Sequence, residues 1–175
     1  MSEPINEGPT YVEGRYVAER RRNPFVQTHL GARLLSASQL PWFTFLPPKG
    51  FGVLTTTGRK TGKRRSRCVR AVRRGDRAYL VAIGGESNRW LKNIRANPEV
   101  RLRIRGGTFG GRARDLRDAA ERQEVMVAYC ESVYPFDYAE CRAHRKGRPT
   151  RSKIVELLRT WFEGGTPLVI ELRDI

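Results

Sequence analysis

The period of apolar and polar positions changes several times along the chain, and each change marks an element. Val53, Leu54, Thr55, Thr56 and Thr57 form a run of small apolar and β-branched residues, which suits a pleated, half-buried strand. Arg64 to Val72 makes a second strand with Cys68 and Val69 at its centre, and Arg74-Gly75-Asp76 is a hairpin turn. Ala78 to Ile83 is strongly apolar, as expected of a central strand that Gly84-Gly85 stops. Val100, Leu102 and Ile104 then alternate with Arg101, Arg103 and Arg105, the pattern of a half-buried antiparallel strand with an arginine face. Gly106-Gly107 turns it into a strand over Thr108 to Leu116, and Leu168 to Leu172 reads as a last apolar strand.

Helical spacing fills the gaps. Asn23 caps and Pro24 opens a helix expected to reach Ser38, with Phe25, Val26, His29, Leu30 and Leu34 near helical spacing and His29 packed rather than ligating. Ser87 or Asn88 caps a short helix through about Ala96, which Asn97-Pro98 ends. Asp118 with Glu121 resembles a capping box and opens a helix carrying Ala119, Val125, Met126 and Tyr129, broken by Pro135. Phe136 to His144 is a further short helix. Thr150 caps another, with Ile154, Leu157, Leu158, Trp161 and Phe162 on one face and Gly164-Gly165 at its end. Between the N-terminal helix and the first strand lies Gln39 to Phe51, where Pro41, Pro47 and Pro48 are expected to exclude a regular helix or central strand. Its aromatic residues read as packing against the body, with a lid or a membrane-touching loop as the other uses of such a segment.

These elements predict an α+β fold: a closed, mostly antiparallel β-barrel with peripheral helices, because hairpins dominate and a single helical crossover follows Ile83. Residues 1–22 are expected to be a flexible tail and 23–175 one domain, with 175 residues enough for a single core.

Charge narrows the partners. A net charge of +16 favours anionic ones: nucleic acid, an anionic membrane or an anionic cofactor. A nucleic-acid module ranks last, because such modules interleave aromatics with cations and no aromatic lies between Arg101 and Arg105. Cys68, Cys130 and Cys141 lack close spacing, and His29 and His144 lie far apart, so no metal site is expected. Met1 to Gly14 does not read as a signal peptide, and Leu34 to Pro48 is uncharged but too short to span a bilayer. A cytoplasmic protein, with peripheral membrane association as a further option, is expected.

The candidate chemistry sits after the first strand. Gly58 and Gly62 bracket Arg59, Lys60 and Thr61, and Lys63, Arg64, Arg65 and Arg67 follow. Backbone N–H groups, a hydroxyl and several cations in so short a space suit a phosphate or a set of carboxylates; a solvated basic hairpin turn is the bland alternative. Three residues between the glycines, and Arg64 after Lys63, rule out a Walker A loop, and no Gly-x-Gly-x-x-Gly is present.

The segment Leu54-Thr55-Thr56-Thr57-Gly58-Arg59-Lys60-Thr61-Gly62 resembles the hallmark of the deazaflavin (F420)-dependent nitroreductase family. Gly84-Gly85, followed by Trp90-Leu91-Lys92-Asn93-Ile94-Arg95-Ala96-Asn97-Pro98, and then Tyr134-Pro135 with Tyr138, are similar to further family motifs in the same order. The resemblance implies a split β-barrel related to flavin-mononucleotide-binding oxidases, and coenzyme F420, which carries a phosphate and an oligoglutamate tail. It implies hydride transfer from the reduced deazaflavin to a small electron-poor acceptor such as a quinone, enone or nitroaromatic. It places the cofactor at Arg59, Lys60, Thr61, Arg65, Cys68, Ile83, Gly84, Gly85, Trp90 and Asn93, and the acceptor at Tyr134 and Tyr138, one of which could protonate it. An FMN- or haem-binding barrel is the alternative. Two departures stand out: Ile83 directly precedes Gly84, where the family often has a small polar residue and a lysine, and Arg70 replaces a commonly aromatic or apolar residue. The Thr150 to Phe162 helix looks like an insertion. No feature of the sequence fixes an oligomeric state.

Overall fold

The structure is a computed structural model that describes the backbone of residues 10–12 and 15–17 and all of residues 41–175. The helix expected over Pro24 to Ser38, with His29, lies outside the described residues. Within the stretch expected as a tail, β1 (Thr10–Val12) and β2 (Arg15–Val17) pair as an antiparallel ribbon.

The body is one seven-stranded sheet, every neighbouring pair antiparallel, in the order β4-β3-β7-β8-β9-β6-β5. The strands are β3 (Phe51–Thr57), β4 (Arg64–Arg70), β5 (Val72–Arg74), β6 (Arg77–Ala82), β7 (Glu99–Ile104), β8 (Gly107–Asp115) and β9 (Thr166–Asp174). The strand expected over Arg64 to Val72 is interrupted at Ala71, whose N–H donates to the Gly50 carbonyl at 2.8 Å. On one side of this break the chain pairs with β3, Phe51 facing Arg70; on the other it pairs with β6, Val72 facing Tyr79. One bent strand thereby joins both edges of the sheet and curls it into a split barrel, which removes most of the open edge.

The apolar run in β6 is buried on both faces, as its lack of alternation predicts. Ala78, Leu80 and Ala82 fill the barrel interior with Leu54, Leu102, Leu168 and Ile170. Tyr79 and Val81 pack outward with Val169 against a helical layer that supplies Tyr129, Leu157, Leu158, Trp161 and Phe162. That layer comprises α2 (Ala119–Glu131), α3 (Pro135–His144) and α4 (Arg151–Gly164), while α1 (Arg89–Ala96) follows a 3-10 turn at Gly85–Ser87. Predicted caps are present: Asn88 accepts from Trp90 N–H, Asp118 from Glu121 N–H and Thr150 from Lys153 N–H.

Two boundaries differ from the expectations above. Residues 41–45 are helical despite Pro41, and the turn is closed by Leu46 N–H donating to the Trp42 carbonyl at 2.9 Å. Pro47 and Pro48 act as the stop, since neither has an N–H to continue the ladder. Ile83 falls outside β6 and is exposed, because Gly84 and Gly85 both take positive φ (90° and 54°) and swing the chain out of the sheet.

Candidate functional site

The basic loop is held from inside and from behind. Gly58 N–H donates to the Lys63 carbonyl at 2.8 Å, Gly62 N–H returns to the Gly58 carbonyl at 2.7 Å, and Gly62 closes the turn with φ 65°. Behind it, Asn93 on α1 is buried and uses both ends of its amide. Its Oδ1 accepts from Arg59 N–H at 3.2 Å and its Nδ2 donates to Thr56 Oγ1 at 3.1 Å. Asn93 thus ties the loop to the helix that carries Trp90.

A groove of about 720 Å³ runs along this loop. Arg59, Lys60, Arg64, Arg65, Arg67 and Arg89 line it together with Gly58, Thr61, Ser66, Trp90 and Asn93, and no carboxylate is among them. An anion entering this groove meets several positive charges without a competing counter-ion.

A second pocket, of about 240 Å³, shares Trp90 with the groove as a lining residue. Its walls are largely apolar: Phe43, Phe51, Val69, Val81, Ile83, Trp90, Phe136 and Trp161, with Cys68, Arg70, Asn88, Tyr129, Glu140 and His144. Phe43, Phe51 and Phe136 in this lining meet edge to face, with centroids 4.8 to 6.2 Å apart. Burial pushes the Cys68 thiol up to about 11, partly offset by Arg67, so it is not a nucleophile near neutral pH. Tyr129, fully buried, is pushed up to about 12 by the same cause, with Arg70 pulling the other way.

Arg70 is built into this wall. Its Nε and Nη2 donate to Asp137 Oδ1 and Oδ2 at 2.8 and 3.1 Å, and its Nη1 donates to the Tyr129 carbonyl at 2.9 Å. Nη2 also donates to the Ser132 carbonyl. Burial is the largest single influence and works against its charge, but the hydrogen bonds and charges of Asp137 and Tyr129 together outweigh it and hold its pKa above the ordinary value.

The structure brings together most residues that the sequence singled out. Arg59, Lys60, Thr61, Arg65, Trp90 and Asn93 share the groove, and Cys68, Ile83 and Trp90 share the pocket. Gly84 and Gly85 form the turn between Ile83 and Asn88 without lining either space; Ser87 Oγ and Asn88 Nδ2 brace it by donating to the Gly84 and Ile83 carbonyls. Tyr134 and Tyr138 are not among the pocket-lining residues. The Tyr134 ring lies on Gly50, where a Cβ would come within 2.0 Å of it, and its N–H donates to Asp137 Oδ2 at 2.8 Å. Tyr138 is 41% exposed. The α3 wall is formed instead by Phe136, Glu140 and His144, one residue per turn, which the sequence reading passed over. Their i, i+4, i+8 spacing was the available signal, and only the position of α3 gives it meaning.

A curled antiparallel split barrel with an apolar pocket and a cationic groove that share Trp90 in their lining defines the class of split-barrel proteins built for a ligand with an apolar body and an anionic end. The F420H(2)-dependent quinone reductase family matches residues 43–149, and the chain belongs to that family. It is a deazaflavin-dependent oxidoreductase: coenzyme F420 is its cofactor, and it passes hydride to a small electron-poor acceptor. Among solved structures, it is similar to a protein described as a domain-swapped dimer, at 22% identity over 81% of this chain and 94% of that one, with a TM-score of 0.49. It is similar to an F420-H2 dependent reductase at 22% identity over 70% and 94% of the two chains, with a TM-score of 0.42. A heme storage protein from Vibrio cholerae matches at 13% identity over 79% and 90%, with a TM-score of 0.47.

The residues present fit that coenzyme: the groove is cationic and free of carboxylates, as a phosphate and oligoglutamate tail requires, and the neighbouring pocket is apolar, as a ring requires.

Proposed function

We propose that the groove takes the phosphate and tail of F420 and that the pocket sharing Trp90 with it takes the deazaflavin ring with the acceptor against it. The observation that carries this reading is that groove and pocket meet at one side chain, Trp90, on a helix anchored to the basic loop through Asn93. Arg59, Lys60 and Arg65 pair with the anionic end; guanidinium groups suit carboxylate and phosphate because their fork binds both oxygens. Ile83 and Trp90 bound the ring, and Asn93 keeps the loop in place. When bound, the reduced coenzyme supplies the hydride. The protein orients the ring, and the Phe43-Phe51-Phe136 cluster and Trp161 exclude water from the acceptor. A quinone is the acceptor best matched to so apolar a chamber.

Titration with oxidised F420, followed by the coenzyme's fluorescence, tests the reading. Saturable binding that weakens with added salt is the expected result. No saturable binding at low salt, or binding of FMN or haem in its place as seen by absorbance, overturns it.

A second observation supports peripheral contact with an anionic membrane. Trp42, Phe45 and Leu46 are 66%, 81% and 63% exposed on the segment whose Phe43 lines the pocket. Among the described residues no helix is long and apolar enough to cross a membrane. Co-sedimentation with phosphatidylglycerol vesicles should be lost when Trp42 and Phe45 are both replaced by serine; retention overturns the contact.

A further inference from the structure

Reduction of a quinone to a quinol adds a hydride and a proton. The family accounts for the hydride, whereas the proton needs a donor beside the acceptor. The ionisable side chains lining the pocket are Cys68, Arg70, Tyr129, Glu140 and His144. Cys68 and Tyr129 are held at about 11 and about 12, so both are weak acids at neutral pH. Arg70 is locked in its charge by Asp137. Glu140 and His144 remain.

These two lie one turn apart on the α3 face that lines the pocket. His144 Nε2 stands 3.5 Å from Glu140 Oε2. The His144 ring meets Trp161 edge-on, with centroids 5.3 Å apart and planes at 88°. Trp161 is itself only 5% exposed, so it is a fixed platform. The imidazole is therefore held on one side by a carboxylate and edge to face by an indole, with its other nitrogen left for a partner.

We propose that His144 is the catalytic acid that protonates the reduced acceptor, and that Glu140 is a positioning residue that orients its ring and stabilises the imidazolium. The proposal rests on the reading of this pocket as the acceptor site. In the step, the hydride from the reduced coenzyme supplies two electrons and one hydrogen to the quinone. The hydride bonds to one quinone oxygen, the displaced π electrons pass through the ring to leave the opposite oxygen as a phenolate, and the ring N–H not held by Glu140 gives that oxygen its proton, which completes the quinol. Imidazole then regains a proton from solvent at its half-exposed edge. Histidine suits this cycle because its two ring nitrogens let it give a proton at one and regain one from solvent. The other charged groups near it are Arg70, across the pocket, and Arg142 and Arg145 along its own chain, and Arg145 pairs with Glu156 at 2.9 Å.

The test uses full-length protein with F420H2 and menadione as the quinone probe. His144→Gln should lower kcat by about 100-fold, the low end for a lost general acid, with F420 affinity unchanged. The fall of kcat with rising pH in the wild type should flatten in the variant. Glu140→Gln should lower kcat less and leave the KM for menadione nearly unchanged. Without coenzyme, adding menadione should shift the imidazole NMR signals of His144, which the His144→Gln spectrum assigns, since the chain holds two histidines. Wild-type kcat and pH profile in His144→Gln, or imidazole signals unmoved by menadione, overturn the proposal. Failure of the wild type to bind F420 would instead sink the site reading, and the NMR measurement, which needs no coenzyme, would still decide whether His144 meets the quinone.

Discussion

Arg70 and Asp137 meet in a two-pronged ion pair between residues that are 7% and 2% exposed, far apart in the chain. Asp137 also accepts from Tyr134 N–H, so one carboxylate fixes both the N-terminus of α3 and the guanidinium at the end of β4. The Arg70 plane also lies over the Tyr129 ring, 4.5 Å from its centroid. This pair sets where Phe136, Glu140 and His144 stand relative to the barrel.

Removing one partner leaves an uncompensated buried charge. Asp137→Ala should therefore destabilise the fold by about 3–5 kcal/mol, read from the midpoint of chemical denaturation. Replacing Arg70 and Asp137 together by leucine should cost less than Asp137→Ala alone, because no charge is then stranded. A loss below about 1 kcal/mol in the single variant would show the pair to be solvated.

The groove predicts a salt-sensitive coenzyme. Arg59→Ala with Lys60→Ala should raise the Kd for F420 about tenfold, or about 1.4 kcal/mol, and make it less dependent on ionic strength. Neither side chain has a carboxylate partner among the groove-lining residues, so the fold should keep its melting temperature. Fluorescence titrations at low and high salt decide it; equal affinity at low salt removes the groove from coenzyme binding.

Trp161 has two duties. Its indole is buried in the layer between α4 and the sheet, and it also lines the pocket beside His144. Trp161→Ala should cost about 3–5 kcal/mol of stability and raise the KM for a quinone. A variant with unchanged melting temperature would make α4 a cover and not part of the core.

Stability should also depend on acid through Glu121. Its hydrogen bond from Arg114, at 2.8 Å, holds the carboxyl down to about 2 from an ordinary 4.5, with a further hydrogen bond from Arg117 N–H. A depressed carboxyl stabilises the fold fully above the unfolded value, so the contribution is present above pH 4.5 and lost as pH falls toward 2. Glu121→Gln should remove about 2 kcal/mol at pH 7 and much less near pH 2. Urea unfolding at the two pH values measures the difference, and an equal effect at both would sever Glu121 from the acid dependence.

What the sequence determined by itself was local. The β-branched run before Gly58, the caps at Asn88, Asp118 and Thr150, and the alternation in β7 are fixed by side-chain chemistry and spacing within a few residues. The family motifs sit on these same short segments, so the cationic groove was legible from them. Tertiary structure decided the rest. The break at Ala71 joins two sheet edges that sequence reading would draw as one strand, because only the pairing partners on each side reveal it. Tyr134 and Tyr138 stood out by motif, whereas the residues of α3 that line the pocket are Phe136, Glu140 and His144, on a helix whose first turn is held by Asp137 and its partner Arg70. Arg70 lies 67 positions from Asp137, and no local pattern carries such a pairing. A helix's periodicity names its faces, but only the element packed against it decides which face becomes a site.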